Sequence, residues 1–129
     1  MNVIELTRQL IKIPSENPPG KEEEISEFIA EKMRSIGLNV RIHEYKPGRP
    51  SVVGLLQGEK EEPILMFNGH TDTVPVGDKS VWSTNPFDAD VKDGKIYGRG
   101  ASDMKAALAA MISAAETILK EDAKLKGTL

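Results

Sequence analysis

Cysteine is absent from the 129 residues, histidine occurs only twice, and aromatic residues make up 5%. Without cysteine there is no disulfide and no thiolate ligand, so zinc-finger sites are excluded and any metal must be held by imidazole and carboxylate. No apolar run reaches the roughly 20 residues needed to span a bilayer. The longest weakly polar stretch, residues 104–119, carries Lys105 and Glu116. Nor is there an excess of one charge. The 17 basic and 20 acidic residues are interspersed and leave a net charge of -3, which excludes an electrostatic footprint for nucleic acid or an anionic membrane. The first residues show no basic region followed by an apolar stretch, so no secretory signal is expected and the expected location is cytoplasmic.

What is present is an ordinary globular composition, 39% hydrophobic and 29% charged, in a chain long enough for one core. Val3, Ile4, Leu6, Leu10, Ile11 and Ile13 have helical spacing, and Pro14 ends that helix. After the loop "SENPPG", Ile25, Phe28, Ile29, Met33 and Ile36 predict a second helix that stops at Gly37. Leu38, Val40 and Ile42 alternate with Asn39, Arg41 and His43, the period of a strand with one buried face and His43 on its polar side. "PSVVGLLQG" and "EEPILMFNGH" each hold a short apolar run, as strands buried on both faces do. Asp93-Gly94 predicts a two-residue hairpin, and an alanine-rich helix is expected from Ser102 or Asp103 to about Glu121. "KLKGTL" then opens a further strand. Helices alternating with short strands predict an α/β sandwich with helices covering a mixed, mostly parallel sheet, undivided by any linker or repeat.

In such a sheet the ligand site lies beyond the carboxyl ends of the strands, where His70 and Asp72 follow "ILMF". Residues two apart on an extended chain point the same way, so Asp72 can reach the His70 imidazole, fix its tautomer and strengthen the opposite nitrogen as a metal ligand. The pair equally fits a simple turn in which Asp72 caps backbone amides. In "GRGASDMKAALAA", Gly98 and Gly100 permit a tight turn, and Asp103 falls at the start of the alanine-rich helix, where the dipole would keep it ionised. It suits a metal bridge, and it also suits a plain helix cap. Nucleotide binding is disfavoured because Asp103 stands where a third glycine would meet the pyrophosphate. Ser102 and Lys105 form Ser-x-x-Lys, the arrangement of penicillin-recognising serine hydrolases, but the further motifs of those enzymes are missing.

Taken together, "SENPPG", "NGHTDTVPVGD", Trp82 with "PF" shortly after, "DGKIYGRGASDMK" and the alanine-rich helix resemble the zinc aminoacylase and carboxypeptidase family. That family includes acetylornithine deacetylase, succinyl-diaminopimelate desuccinylase and glutamate carboxypeptidase. The resemblance implies a three-layer catalytic domain, with His70 as terminal ligand of one zinc ion, Asp72 as the carboxylate orienting it, and Asp103 as the bridge between two zinc ions, which cobalt can replace. Ala106 stands where relatives often have glycine. Paired ions activate water and polarise the carbonyl, so the implied reaction is hydrolysis of an amide in an N-acyl amino acid or small peptide.

The resemblance also implies that residues 1–129 are the amino-terminal portion of that catalytic domain. The adjacent glutamates supplying general base and ligand, the further acidic ligand, the distant histidine and the lid or dimerisation domain would lie outside it. His43 sits on the wrong strand to replace that histidine. The expectation is therefore a catalytically incomplete chain that self-associates through an exposed sheet edge. The alternative is a non-catalytic folded module that binds a partner or a single metal ion.

Overall fold

Asn2 starts the first helix: its Oδ1 accepts the backbone N–H groups of Ile4 at 2.9 Å and Glu5 at 3.3 Å, donors that no earlier turn can satisfy. The computed structural model describes residues 2–121 and 123–129. Helix α1 (Val3–Ile11) buries Leu6, Leu10 and Ile11 on one face. Helix α2 (Glu23–Ser35) has Glu23 and Glu24 in its first turn and Lys32 and Arg34 in its last, matching the helix dipole, and buries Ile25, Ile29 and Ala30. Gly37, with φ of +97°, releases the chain after it. Helix α3 (Ala106–Lys120) buries Ala109, Ile112 and Ala115.

These three faces meet. Leu6, Leu10, Ile25, Ile29, Ala109 and Ile112 form the core, with Met33, Val52 and Leu108 packed against it. Each large aliphatic side chain buried there contributes roughly 1.5–3 kcal/mol. Small alanines on α3 allow its close approach to α1.

Strands β1 (Asn39–Lys46) and β2 (Arg49–Leu55) form an antiparallel hairpin with Ile42 opposite Val52 and His43 opposite Ser51. Strands β3 (Asp90–Lys92) and β4 (Lys95–Tyr97) form a second one. There Asp93 and Gly94 take φ of +52° and +72°, the left-handed pair that the Asp-Gly signal predicts.

Three expectations are corrected. Among the described residues the two sheets are antiparallel and two-stranded, and parallel pairing is limited to single bridges, Glu16 with Thr73 and Ile64 with Thr128. A mostly parallel central sheet is not seen. Second, the apolar run before His70 is not a buried strand: Ile64, Leu65, Met66 and Phe67 are 68%, 59%, 77% and 48% exposed. A strand buried on both faces needs paired neighbours and helices above and below, whereas here Leu65 N–H bonds only the carbonyl of Thr128. Likewise the apolar side of β1 is incompletely covered, with Ile42 at 43% exposure. Third, α3 begins at Ala106 and not at residue 102 or 103. Among the described residues no helix is long and apolar enough to cross a membrane.

Candidate metal centre

His70 is positioned by its backbone neighbours. Residues 15–17 run parallel to residues 71–73: Thr73 N–H donates to Ser15 carbonyl at 2.9 Å, Asn17 N–H to Thr73 carbonyl at 2.8 Å, and the Ser15 hydroxyl to Thr71 carbonyl at 2.6 Å. Just before this ladder, Gly69 lies so close to Met104 and Leu108 that a Cβ there would sit 2.9 Å from each side chain. The His70 backbone N–H points at Met104 Sδ at 3.4 Å.

Asp103 reaches the same place from the other side. Gly100 turns the chain with φ of +79°, and the Lys105 N–H bonds the Gly100 carbonyl at 2.9 Å. Residues 101–105 are wound, but Asp103 (φ -122°, ψ 91°) and Met104 (φ -139°, ψ 36°) leave helical geometry. Asp103 is therefore outside the first turn of α3, and the helix-dipole argument for its ionisation does not apply to it. The kink instead projects its carboxylate away from the helix, with its side chain 84% exposed.

The His70 ring thus lies between two carboxylates. Its Nδ1 is 3.1 Å from Asp72 Oδ1 and 3.0 Å from the Asp72 carbonyl, and its Nε2 is 2.9 Å from Asp103 Oδ1. Desolvation is the largest single influence on His70 and lowers its pKa. The bond to the Asp72 carbonyl, the Asp103 hydrogen bond and both negative charges together outweigh it and hold the pKa above the ordinary 6.5. For Asp72 the Asn17 hydrogen bond is the largest influence. With the His70 and Arg49 charges it overcomes partial burial and keeps the carboxyl below 3.8.

Asn17, His70, Asp72, Arg99 and Asp103 line a cavity of about 360 Å³. A larger hollow of about 560 Å³ beside Lys21, Glu23, Glu24 and Glu27 has no imidazole in its lining. The donors around His70 suit zinc, which accepts imidazole and carboxylate together. Ligands about 2.0–2.1 Å from a tetrahedral ion stand about 3.3 Å apart. A small opening of the 2.9 Å contact between His70 and Asp103 therefore admits one. Among the described residues, no group of three or more His, Cys, Asp or Glu is arranged to hold a metal ion.

The other candidates separate from this site. Ser102 is exposed, whereas Lys105 is fully buried and its Nζ donates to the Ile13 carbonyl at 2.7 Å, so the Ser-x-x-Lys pair does not assemble as nucleophile and base. His43 is exposed on β1. Trp82 anchors the long loop, its Nε1 donating to the Val76 carbonyl at 2.9 Å and its ring lying 5.0 Å beneath the Arg99 guanidinium. Asn17 and Arg49 are not legible as site residues from the sequence. The spacing of "SENPPG" marks a loop and carries no signal of what that loop touches.

Comparisons with known proteins concern the family and the fold. Residues 66–129, which contain all three candidate residues, match the family described as Peptidase family M20/M25/M40. The fold is similar to the crystal structure of an M20 family metallo-carboxypeptidase, Sso-CP2 from Sulfolobus solfataricus, at a TM-score of 0.87 and 25% identity, over 99% of this chain and 29% of that one. It is also similar to human carnosine dipeptidase 1, at a TM-score of 0.83 and 22% identity, over 98% of this chain and 30% of that one. Residues 66–129 belong to the M20 peptidase family. The chain spans about three tenths of the length of these two solved structures.

Proposed function

We propose that this chain carries part of the centre of a zinc-dependent hydrolase acting on the amide bond of N-acyl amino acids or small peptides. In this reading His70 and Asp103 would hold zinc, Asp72 would orient the imidazole, and Asp103 would be the carboxylate shared with a second ion. The observation that supports it is the single imidazole with a carboxylate oxygen at hydrogen-bond distance from each ring nitrogen. Bound zinc supplies a Lewis acid for the scissile carbonyl and the attacking water. Of the chain's own residues, Asp72 faces Nδ1 and so would leave Nε2 as the ring nitrogen turned toward the metal.

Catalytic zinc ordinarily has three protein ligands. With no third one grouped there among the described residues, the 129-residue chain by itself is expected to hold zinc weakly and turn over slowly. The resemblance of the loop "SENPPG" to the acetylornithine deacetylase and succinyl-diaminopimelate desuccinylase branch inclines the reading toward N-acetyl or N-succinyl amino acids as substrates. The carboxypeptidase and dipeptidase descriptions of the structural neighbours keep short peptides in the same class.

Calorimetric titration with zinc, paired with an assay of N-acetyl amino acids and dipeptides, tests the reading. The expected result is weak binding that disappears in His70→Ala, with slow hydrolysis at most. Zinc binding that is unaffected by His70→Ala would overturn it.

A further inference from the structure

We propose that Asn17 and Arg49 are positioning residues for this centre, holding the outer oxygen of Asp72 so that its inner oxygen faces His70 Nδ1. The inference rests on the metal-site reading above. Asp72 has two oxygens with separate duties: Oδ1 lies 3.1 Å from Nδ1, while Oδ2 accepts the Asn17 Nδ2–H at 2.8 Å and lies 3.6 Å from Arg49 Nη2. A carboxylate turns easily about its last torsion, where the rotamer wells are broad. Unpinned, it would exchange its oxygens and weaken its hold on the imidazole.

Both pins are themselves fixed. The ladder between residues 15–17 and 71–73 uses backbone groups alone at Asn17, so the side-chain amide is free for Asp72. Arg49 stands at the start of β2 and is fastened by the buried Glu22, whose Oε1 accepts from Nε at 2.9 Å and Nη2 at 2.6 Å. The Glu22 backbone N–H also bonds the Gly48 carbonyl at 3.2 Å, tying the start of α2 to the β1–β2 turn. Gly20 makes room for this arginine. A Cβ at that position would lie 3.1 Å from Arg49 Cδ and Nε. A line of contacts therefore runs from Glu22 through Arg49 and Asp72 to His70, joined from the side by Asn17.

Arg49→Ala strands the buried Glu22 carboxylate and can unfold the chain. Asn17→Ala and the isosteric Asn17→Asp therefore carry the test, with Arg49→Lys as the variant that keeps the charge. The readout is the His70 tautomer from imidazole ¹⁵N shifts of the metal-free chain, at a pH where the ring is neutral. The chain has only two histidines, so His43 serves as the internal reference. Nδ1 faces the carbonyl and Oδ1 of Asp72 while Nε2 faces Asp103 Oδ1, so the two nitrogens compete for the proton and the wild-type ratio of the two forms is the baseline. Both Asn17 variants, folded by circular dichroism, should shift toward the Nε2–H form and bind zinc roughly tenfold more weakly, with Arg49→Lys nearer to wild type. An unchanged tautomer ratio and zinc affinity in folded Asn17→Ala would overturn the proposal. Failure of the wild-type chain to bind zinc would count against the metal-site reading, and the metal-free tautomer comparison would still decide the role of Asn17.

Discussion

His70 Nε2 and Asp103 Oδ1 lie 2.9 Å apart although 33 residues separate them in the chain. Neither stands on a regular element. One follows an exposed extended run, and the other occupies a kink ahead of α3. They meet because the segment 71–73 is pinned to residues 15–17 and because Gly100 reverses the chain beside Thr73, where a Cβ at that glycine would lie 2.6 Å from Thr73 Cγ2.

Replacing Asp103 by Asn keeps the shape and removes the charge. With only two candidate ligands in reach, zinc affinity should fall by more than the roughly 10–100-fold seen when an outer contact is lost. Cobalt absorption or calorimetry measures this. The far-ultraviolet circular dichroism should be unchanged, since the Asp103 side chain is 84% exposed.

Lys105 makes stability depend on alkaline pH. Burial is the main cause and lowers its pKa from 10.5 to about 8, against a smaller opposing effect of the Glu16 charge. Between about pH 8 and 10.5 the folded chain has released this proton while the unfolded chain still holds it, so unfolding takes up a proton. This group's contribution to stability therefore rises with pH across that window, by about 2–3 kcal/mol. Urea midpoints measured from about pH 7 to 10.5 should show the rise, and Lys105→Met should remove it.

Glycine substitutions separate backbone strain from crowding. Gly77 has φ of +69° with nothing within 4 Å of a Cβ, so Gly77→Ala should cost about 1 kcal/mol. Gly100→Ala adds a collision with Thr73 Cγ2 to a φ of +79° and should cost about 2–4 kcal/mol. Denaturant unfolding of both variants reads the difference, and Gly100→Ala should also weaken zinc binding because the turn that delivers Asp103 is disturbed.

The exposed residues 64–67 should make the chain associate. Four adjacent apolar side chains with few backbone hydrogen bonds favour pairing with a second copy, largely independent of salt. Leu65→Lys and Met66→Lys should weaken association at least about tenfold with little effect on thermal stability. Sedimentation over a range of concentrations checks this, and a monomer at all concentrations would contradict it.

Local chemistry makes several features legible in the amino-acid order alone. Asn39 to Tyr45 alternates, Gly37 halts α2, Asp93-Gly94 turns a hairpin, and the apolar spacing of Leu6 with Leu10 and of Ile25 with Ile29 marks the faces that form the core. Each of these depends on residues close in sequence. His70 with Asp72 is legible for the same reason, because a two-residue spacing already sets their relation.

Other features depend on partners far along the chain. The Asn17 amide reaches Asp72 across 55 residues and Arg49 reaches Glu22 across 27, and no periodicity encodes either meeting. Lys105 stands out in the sequence only as the lysine of Ser-x-x-Lys, and nothing local shows that the Ile13 carbonyl, 92 residues away, takes its Nζ. Hydrophobicity alone predicts a buried strand at residues 64–67, yet burial requires hydrogen-bonded neighbours and covering helices, which the fold does not place there. Asp103 has the composition of a helix start but lies outside the helix, because the turn at Gly100 and the kink at Met104 place it opposite His70. The sequence by itself determined the core-facing sides of the helices, the Asp-Gly hairpin and the closeness of His70 to Asp72; the tertiary structure alone decided the strand pairing and which distant side chains meet, because those contacts follow from long-range packing that no local preference specifies.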